Sequence, residues 1–410
     1  MRETVRQGSK VSAALKLETL IRLPITGRGP GYTCGVLAQE MSRHGLDVEI
    51  VTPRARNVSL SPARLIQALP FWARPIPYRL TPSATSFAVK QTERLFVDRV
   101  LSKAASDRVA AYIFPEASIE VLERLHDKGV PIFREMINCH RGTAKRILDD
   151  AYERVGRAPA HGITAESVLI ENEALELADF IFCPNSLVED SLTEHHGDPG
   201  KIIHTSYGWD PARFAEERRR LKPADGLTVL FAGGVSIRKG AHLLLDYWAR
   251  SGVVGRLVLV GKVEPTIREL CGDLLSRPDV LLLDYTRNIG DLYRSADVFA
   301  FPTLEEGGPQ VTYEACGCGL PVLTSPMGAG RAVRNGVEGF VLDPYDGDAW
   351  VTALRDLAAD KDKRVAMAAA AAARAKEFVW SKVAGERNRQ IELRLGEGKH
   401  DERLPSELLV

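Results

Sequence analysis

The chain has no long apolar run, no net charge and few cysteines, and each absence narrows what it can be. No stretch approaches the ~20 apolar residues that a membrane-spanning helix needs. The opening MRETVRQGSK lacks the apolar centre and cleavage site of a secretory leader, so the expected location is cytoplasmic. Lys and Arg total 54, and Asp and Glu also total 54. That balance argues against a dedicated nucleic-acid binder, which would be strongly basic. Six cysteines are scattered at 34, 139, 183, 271, 316 and 318. Cys316 and Cys318 are the one close pair, and a Cys-x-Cys without a second cluster is a poor zinc site. The cysteines read instead as small packing residues in a reducing compartment. No acidic cage lies near a strand end, so neither a metal nor a cofactor is expected.

With 410 residues the chain is too long for one typical core and fits two domains of roughly 200 residues. Its second half alternates cleanly. LTVLFAGG, VGRLVLVG, VLLLDY and ADVFAFPT read as strands, separated by helices in AHLLLDYWARSG, EPTIRELCGDLLSR and IGDLYRSA. PVLTSP and GFVLDP add two short strands. This alternation predicts a parallel sheet with helices on both faces. The first half is less regular: DVEIVTP, AAYIFP, PIFREM and ADFIFCPNS read as strands, LAQEMSRHG and ASIEVLERLHDKG as helices. Its first strand comes from VSAALKL or ETLIRLPI. The proline-rich ALPFWARPIPYRLTPS reads as a loop.

The densest chemistry lies in FPTLEEGGPQVTYEACGCGLPV, residues 301 to 322. Glu306 follows an apolar strand, Gly307 and Gly308 allow a sharp turn, and Glu314 lies within the first turns of a helix running from Gln310 to Cys318. One carboxylate is thus expected in the mouth after a strand, where open α/β sheets bind ligands. Earlier, FAGGVSIRKGAH places Arg238 and Lys239 just past Gly233 and Gly234, at a helix entry. A basic pair there is unfavourable against the helix dipole unless an anion answers it. Arginine offers a planar fork for phosphate, lysine a mobile point charge.

The 301–322 block resembles the signature of glycosyltransferase family 4, with glutamates flanking seven residues, matched at Glu306, Gly307, Glu314, Ala315, Cys318, Gly319, Pro321 and Val322. RKG resembles the family's Gly-Arg-x-x-x-x-Lys-Gly, with Lys239 and Gly240 in place and Gly234 where an arginine is usual. KIIHTSYGWD resembles the inter-domain hinge at Tyr207, Gly208 and Asp210. The resemblance is firm over about 165 to 390 and thinner before it.

It implies the GT-B fold: two Rossmann-like, doubly wound parallel-sheet domains facing a central cleft. The expected limits are 1–207 for the acceptor domain and 208–378 for the donor domain, with 379–410 a helix crossing back, then a charged tail. It implies a retaining transferase that moves sugar from a UDP- or GDP-sugar donor to a glycan or lipid-linked acceptor without a metal. A nucleotide-sugar 2-epimerase of the same fold and a catalytically silent binding protein are the alternatives. By resemblance Glu306 orients the donor sugar and Glu314 accepts bonds from ribose hydroxyls, Glu305 being solvated. Arg238, Lys239, Gly233, Gly234, Gly307, Gly308, Gln310 and Val311 hold the rest of the donor. Gly29 and Gly31, in TGRGPGYT, form a phosphate loop on the first domain. His140 is expected to face the sugar, with Glu135, Asn138 and Arg141 as competitors for the role. Donor and acceptor specificity is expected in DYTRNIG and in the stretch from 54 to 105.

Residues 51 to 110 hold ten Lys and Arg against three acids. Within them PFWARPIPYR interleaves Phe71, Trp72, Ile76 and Tyr78 with Arg74 and Arg79. That mixture suits a peripheral contact with anionic membrane, at the inner face. The competing expectation is a loop whose aromatics pack on the domain's own core.

Overall fold

The computed structural model describes residues 15–74, 81–215, 221, 225–284, 286 and 288–397. The opening decapeptide, Ile76, Tyr78, Arg79, Tyr285, Arg287 and the tail from 398 lie outside these.

Among the described residues, thirteen strands form two parallel sheets. The first sheet contains β1 Lys16–Leu20, β2 Asp47–Thr52, β3 Arg64–Gln67, β4 Val109–Ile113, β5 Ile132–Glu135, β6 Phe180–Cys183 and β7 Ile202–His204, in the order β3-β2-β1-β4-β5-β6-β7. The second contains β8 Leu227–Ala232, β9 Gly255–Val260, β10 Val280–Leu283, β11 Val298–Phe301, β12 Val322–Thr324 and β13 Gly339–Val341, in the order β10-β9-β8-β11-β12-β13. The Rossmann-like pair of sheets expected for GT-B is therefore present. The chain divides into two compact units, Met1–Arg134 with Leu177–Asp179 and Asn388–Val410, and Glu135–Glu176 with Phe180–Arg387.

In the first unit β1 takes residues from both candidate stretches and pairs in register with β2 and β4, Leu17 opposite Val48 and Ala110. Gly29 opens the helix Gly29–Arg43, and Gly31 packs on the Pro24 carbonyl. Two elements escaped the sequence reading, β3 and the long helix Pro82–Ala104. The loop ends where this helix begins: Thr81 caps it, its side chain accepting from the Ala84 amide, with proline at the first position. Ahead of it, Phe71–Ala73 is a single 3₁₀ turn. Ala73 packs on Leu69 and Ala88, while Phe71 is 82% exposed and Trp72 is 72% exposed. These two rings are not packed on the core.

In the second unit β8 and β11 are buried along their whole length, which explains their unbroken apolar runs. They are neighbours, Val229 opposite Val298. β8 continues to β9 on one side and β11 to β12 on the other, so the sheet reverses its winding between them. Loops leaving the carboxyl ends of such a pair form a crevice for ligand. Beside Gly208, the Trp209 amide donates to Phe378 O at 3.0 Å, and the Trp380 amide to Trp209 O at 3.2 Å. Among the described residues no helix is long and apolar enough to cross a membrane.

Candidate active site

The loops after β8 and β11 are locked together. Gly240, with φ of 66°, packs so close to the Pro302 carbonyl that a Cβ would overlap it. The Leu304 amide donates to Arg238 O at 2.9 Å. From beneath, Ser325 Oγ donates to Thr303 O at 2.5 Å and Thr324 Oγ1 to Phe301 O at 2.8 Å. Gly307 lies directly on the Ile137 carbonyl, where any side chain would collide. The 305–308 turn is thus held by backbone contacts on several sides.

The adjacent basic residues and adjacent acids pair one to one. Lys239 Nζ forms an ion pair with Glu306 Oε1. Arg238 Nε meets Glu305 Oε2 at 2.6 Å. Arg238 Nη2 also donates to Asn138 Oδ1 at 2.8 Å, and the Cys139 amide donates to Glu305 Oε1 at 3.1 Å. Burial holds the Lys239 ammonium below its usual pKa, with Glu306 opposing the shift. Burial acts in the same sense on Arg238, but the carboxylates of Glu305 and Glu306 outweigh it and raise its pKa.

Glu305 corrects the sequence reading. It is 2% exposed rather than solvated, with both carboxylate oxygens engaged. Glu306, the residue that the spacing to Glu314 favoured, pairs with Lys239.

Glu314 sits on the helix Gln310–Gly317, buried, its Oε2 accepting from Tyr293 Oη at 3.3 Å and its Oε1 3.6 Å from Arg213 Nη1. Burial raises its pKa to about 7, against the pull of Arg213 and Tyr293. Gln310 and Val311 form the first turn of that helix, the Gln310 amide donating to Gly308 O at 2.8 Å. Gly308 lies against the Tyr207 ring. Gly233 ends the β8 run, and Gly234 faces open space where the usual arginine would project.

His140, expected to face the sugar, stands at the start of the next helix. It is fully buried and caps the helix Arg141–Arg154: Nδ1 accepts from the Gly142 amide at 3.1 Å. Nε2, which must then carry the proton, bonds Asn172 Oδ1 at 2.7 Å. Its ring stacks on His195 at 4.0 Å between centroids. Its geometry is that of a capping residue. Of its competitors, Asn138 and Arg141 line a cavity beside the site, and Glu135 is paired with Arg387.

That cavity, of about 490 Å³, was not read from the sequence. One wall is Ala144, Leu148 and Tyr152 of the helix Arg141–Arg154; the other includes Ser236, Arg238 and Glu305. Tyr152 Oη donates to Glu264 Oε1 at 2.5 Å, and Glu264 Oε2 accepts from the Ile237 amide at 3.0 Å. One carboxylate therefore ties the helix to the β8 loop. His161 closes the cavity's edge, held by Asp149 at 2.8 Å and by the Ile163 amide at 3.0 Å. The available signal was the four-residue recurrence of Ala144, Leu148 and Tyr152 in RGTAKRILDDAYER, which marks one helix face.

Residues 213–374 match the family described as glycosyl transferases group 1. A D-inositol 3-phosphate glycosyltransferase of Thermobispora bispora is 30% identical over 246 residues, covering 53% of this chain and 56% of that protein. The chain thus spans about half the length of the curated relatives it matches. Among solved structures, sucrose-phosphate synthase from Thermosynechococcus elongatus superposes with a TM-score of 0.70 at 17% identity, over 93% of this chain and 99% of that one. Anabaena Alr3699/HepE in complex with UDP-glucose does so with a TM-score of 0.61 at 17% identity, over 93% and 99%.

Proposed function

We propose that the chain is a retaining group 1 glycosyltransferase that uses a UDP- or GDP-sugar and no metal. The observation that carries this reading is the Lys239–Glu306 pair at the β8–β11 switch point, with Glu314 buried behind it. A carboxylate neutralising a largely buried ammonium can be exchanged for a diphosphate, which carries more charge and more acceptor oxygens. Glu306 is then released to accept hydroxyls of the donor sugar. Glu314 accepts from the ribose diol, a donor pair that suits one carboxylate. UDP is the favoured nucleotide, since the similar HepE structure holds UDP-glucose.

In the transfer, an acceptor hydroxyl attacks the anomeric carbon from the face the diphosphate leaves. The bond from that carbon to the diphosphate oxygen breaks, and the hydroxyl proton passes to the departing diphosphate. Lys239 stabilises the charge that develops there. The acceptor is a glycan precursor, a lipid-linked sugar or a small polyol; the D-inositol 3-phosphate transferases among the relatives favour the polyol. Exposed Phe71, Trp72 and Phe87, within the basic 51–110 segment, favour a peripheral contact with anionic membrane as a second property.

The test is donor turnover. UDP-, GDP- and ADP-sugars are first screened for a rise in thermal midpoint. The stabilising donor is then incubated with candidate acceptors in a chelator, and the product anomer is read by NMR. Transfer with retained configuration is expected. Isomerisation of the donor sugar would establish the epimerase instead, and binding without consumption the silent protein.

A further inference from the structure

Glu264 takes no part in the Lys239–Glu306 pair, yet its carboxylate reaches the turn that carries Lys239. It stands at the N-cap of the helix Pro265–Leu270 and makes no side-chain cap there. A carboxylate at a helix N-terminus is usually spent on that helix's own amides and dipole. Here both oxygens go elsewhere: Oε1 accepts from Tyr152 Oη at 2.5 Å, and Oε2 from the Ile237 amide at 3.0 Å. We infer that Glu264 is a positioning residue for Lys239, and that Tyr152 holds Glu264 in place. The meeting of Lys239 with a diphosphate rests on the transferase reading above; the tether rests on these contacts alone.

The backbone shows what the tether does. Past the end of β8 the chain keeps one more rung with the segment after β9, Val235 opposite Val263. The Val235 amide donates to Lys262 O at 3.0 Å, and the Glu264 amide to Val235 O at 2.9 Å. Beyond that rung the chain turns, and the amide of buried Ile237 meets the Glu264 side chain instead of a strand. Left unanswered there, a buried amide would cost its desolvation penalty. The turn then closes on Ser236 and Ile237. The Gly240 amide donates to Ile237 O at 2.9 Å and the Ala241 amide to Ser236 O at 3.1 Å. The Lys239 amide donates to Ser236 Oγ at 3.3 Å. From the β11 side this turn is held by backbone, the Leu304 amide on Arg238 O; from the β9 side it is held by the Glu264 side chain. Tyr152 is buried, and burial and the Glu264 carboxylate both raise its pKa, so it stays a donor. Precision matters at this turn, because misplacing a charge-stabilising group by about 1 Å can cost about 10²-fold in rate.

The test compares the full wild-type chain with E264A, E264Q and Y152F by hydrogen exchange, calorimetry and turnover. E264A should speed exchange at the Gly240 and Ala241 amides at least about tenfold and leave β11 and β12 unchanged. E264Q should restore slow exchange, since its carbonyl can accept from the Ile237 amide while its amide donates to Tyr152 Oη. Y152F, which keeps the carboxylate and loses only the hydroxyl, should fall between, and it reads the tether even where E264A does not fold. E264A should also lower kcat at least about tenfold, with E264Q within about threefold of wild type. UDP affinity should fall more than uridine affinity, because the nucleoside does not meet Lys239. Unchanged exchange at Gly240 and Ala241 overturns the inference, as does exchange raised equally in β11 and β12. So does an E264Q as impaired as E264A, which would make the charge and not the tether the cause. A wild type that binds neither UDP nor GDP, with the expected exchange pattern, would leave the tether standing and sink the donor reading.

Discussion

Glu305 and Glu306 are neighbours in sequence, yet their carboxylates serve different partners. Spacing to Glu314 favoured Glu306, and it does pair with Lys239. Spacing could not reveal that Glu305 would be buried, because its partners Arg238 and Cys139 lie 67 and 166 residues away in the chain. The sequence likewise did not show that the His140 ring caps the next helix. Glu314 supports a pH test. Its pKa is raised to about 7 because burial penalises the charged form. Ribose hydroxyls are best accepted by the deprotonated form, so UDP affinity should climb between pH 6 and 8, by up to roughly tenfold. The free protein behaves oppositely. Folded Glu314 keeps a proton that the unfolded chain has released, so its contribution to stability falls as pH rises towards about 7. Calorimetry at three pH values checks the affinity, and Glu314→Gln should flatten the profile. Glu306→Ala should instead lower kcat more than it weakens UDP, since sugar orientation counts most in the transition state. A flat wild-type profile would remove Glu314 from the ribose site.

The helix Pro82–Ala104 and β3 were the elements hardest to foresee. The helix carries apolar residues toward the sheet but also Arg99 and Lys103, which meet acids placed inside strands. Glu18 of β1 and Glu49 of β2 are direct cross-strand neighbours, and both are buried. Lys103 pairs with both, Arg99 with Glu49 and at 3.7 Å with Glu18, and Arg64 of β3 with Glu49 at 2.5 Å. An acid within a strand breaks the apolar pattern, so sequence reading weakens where such a network replaces apolar packing. Lys103→Met should cost about 3 kcal/mol, because it leaves the buried Glu18 carboxylate with only the longer contact to Arg99. Urea unfolding of the full chain measures it. A loss below about 1 kcal/mol, the range of exposed pairs, would mean the network is solvent-screened.

At the scale of the whole molecule, charge is balanced in total and uneven in place. The 51–110 segment concentrates positive charge, and within it Phe71 and Trp72 point to solvent. Of the two expectations for these aromatics, core packing fails for Phe71 and Trp72. Exposed rings beside cations suit the headgroup layer of an anionic bilayer. Phosphatidylglycerol vesicles should therefore co-sediment the protein at low salt and release it at high salt, while neutral vesicles should not bind. Replacing Phe71 and Trp72 together with Ala should reduce the bound fraction several-fold. Retention that ignores both salt and the double substitution would exclude this surface.

The sequence by itself determined the α/β class, the strands of the second half and the position of the glutamate block. Those features follow from local rules: continuous apolar runs make doubly covered strands, and Gly-Gly-Pro before an amphipathic stretch makes a turn and a helix. Only the tertiary structure decided which acid is buried, which histidine is a cap and which helix walls the cavity beside Arg238. The buried acid depends on partners brought from distant parts of the chain, and the cap on how the chain after β5 turns into the next helix. Burial and pairing are set by that meeting, and no local pattern encodes it.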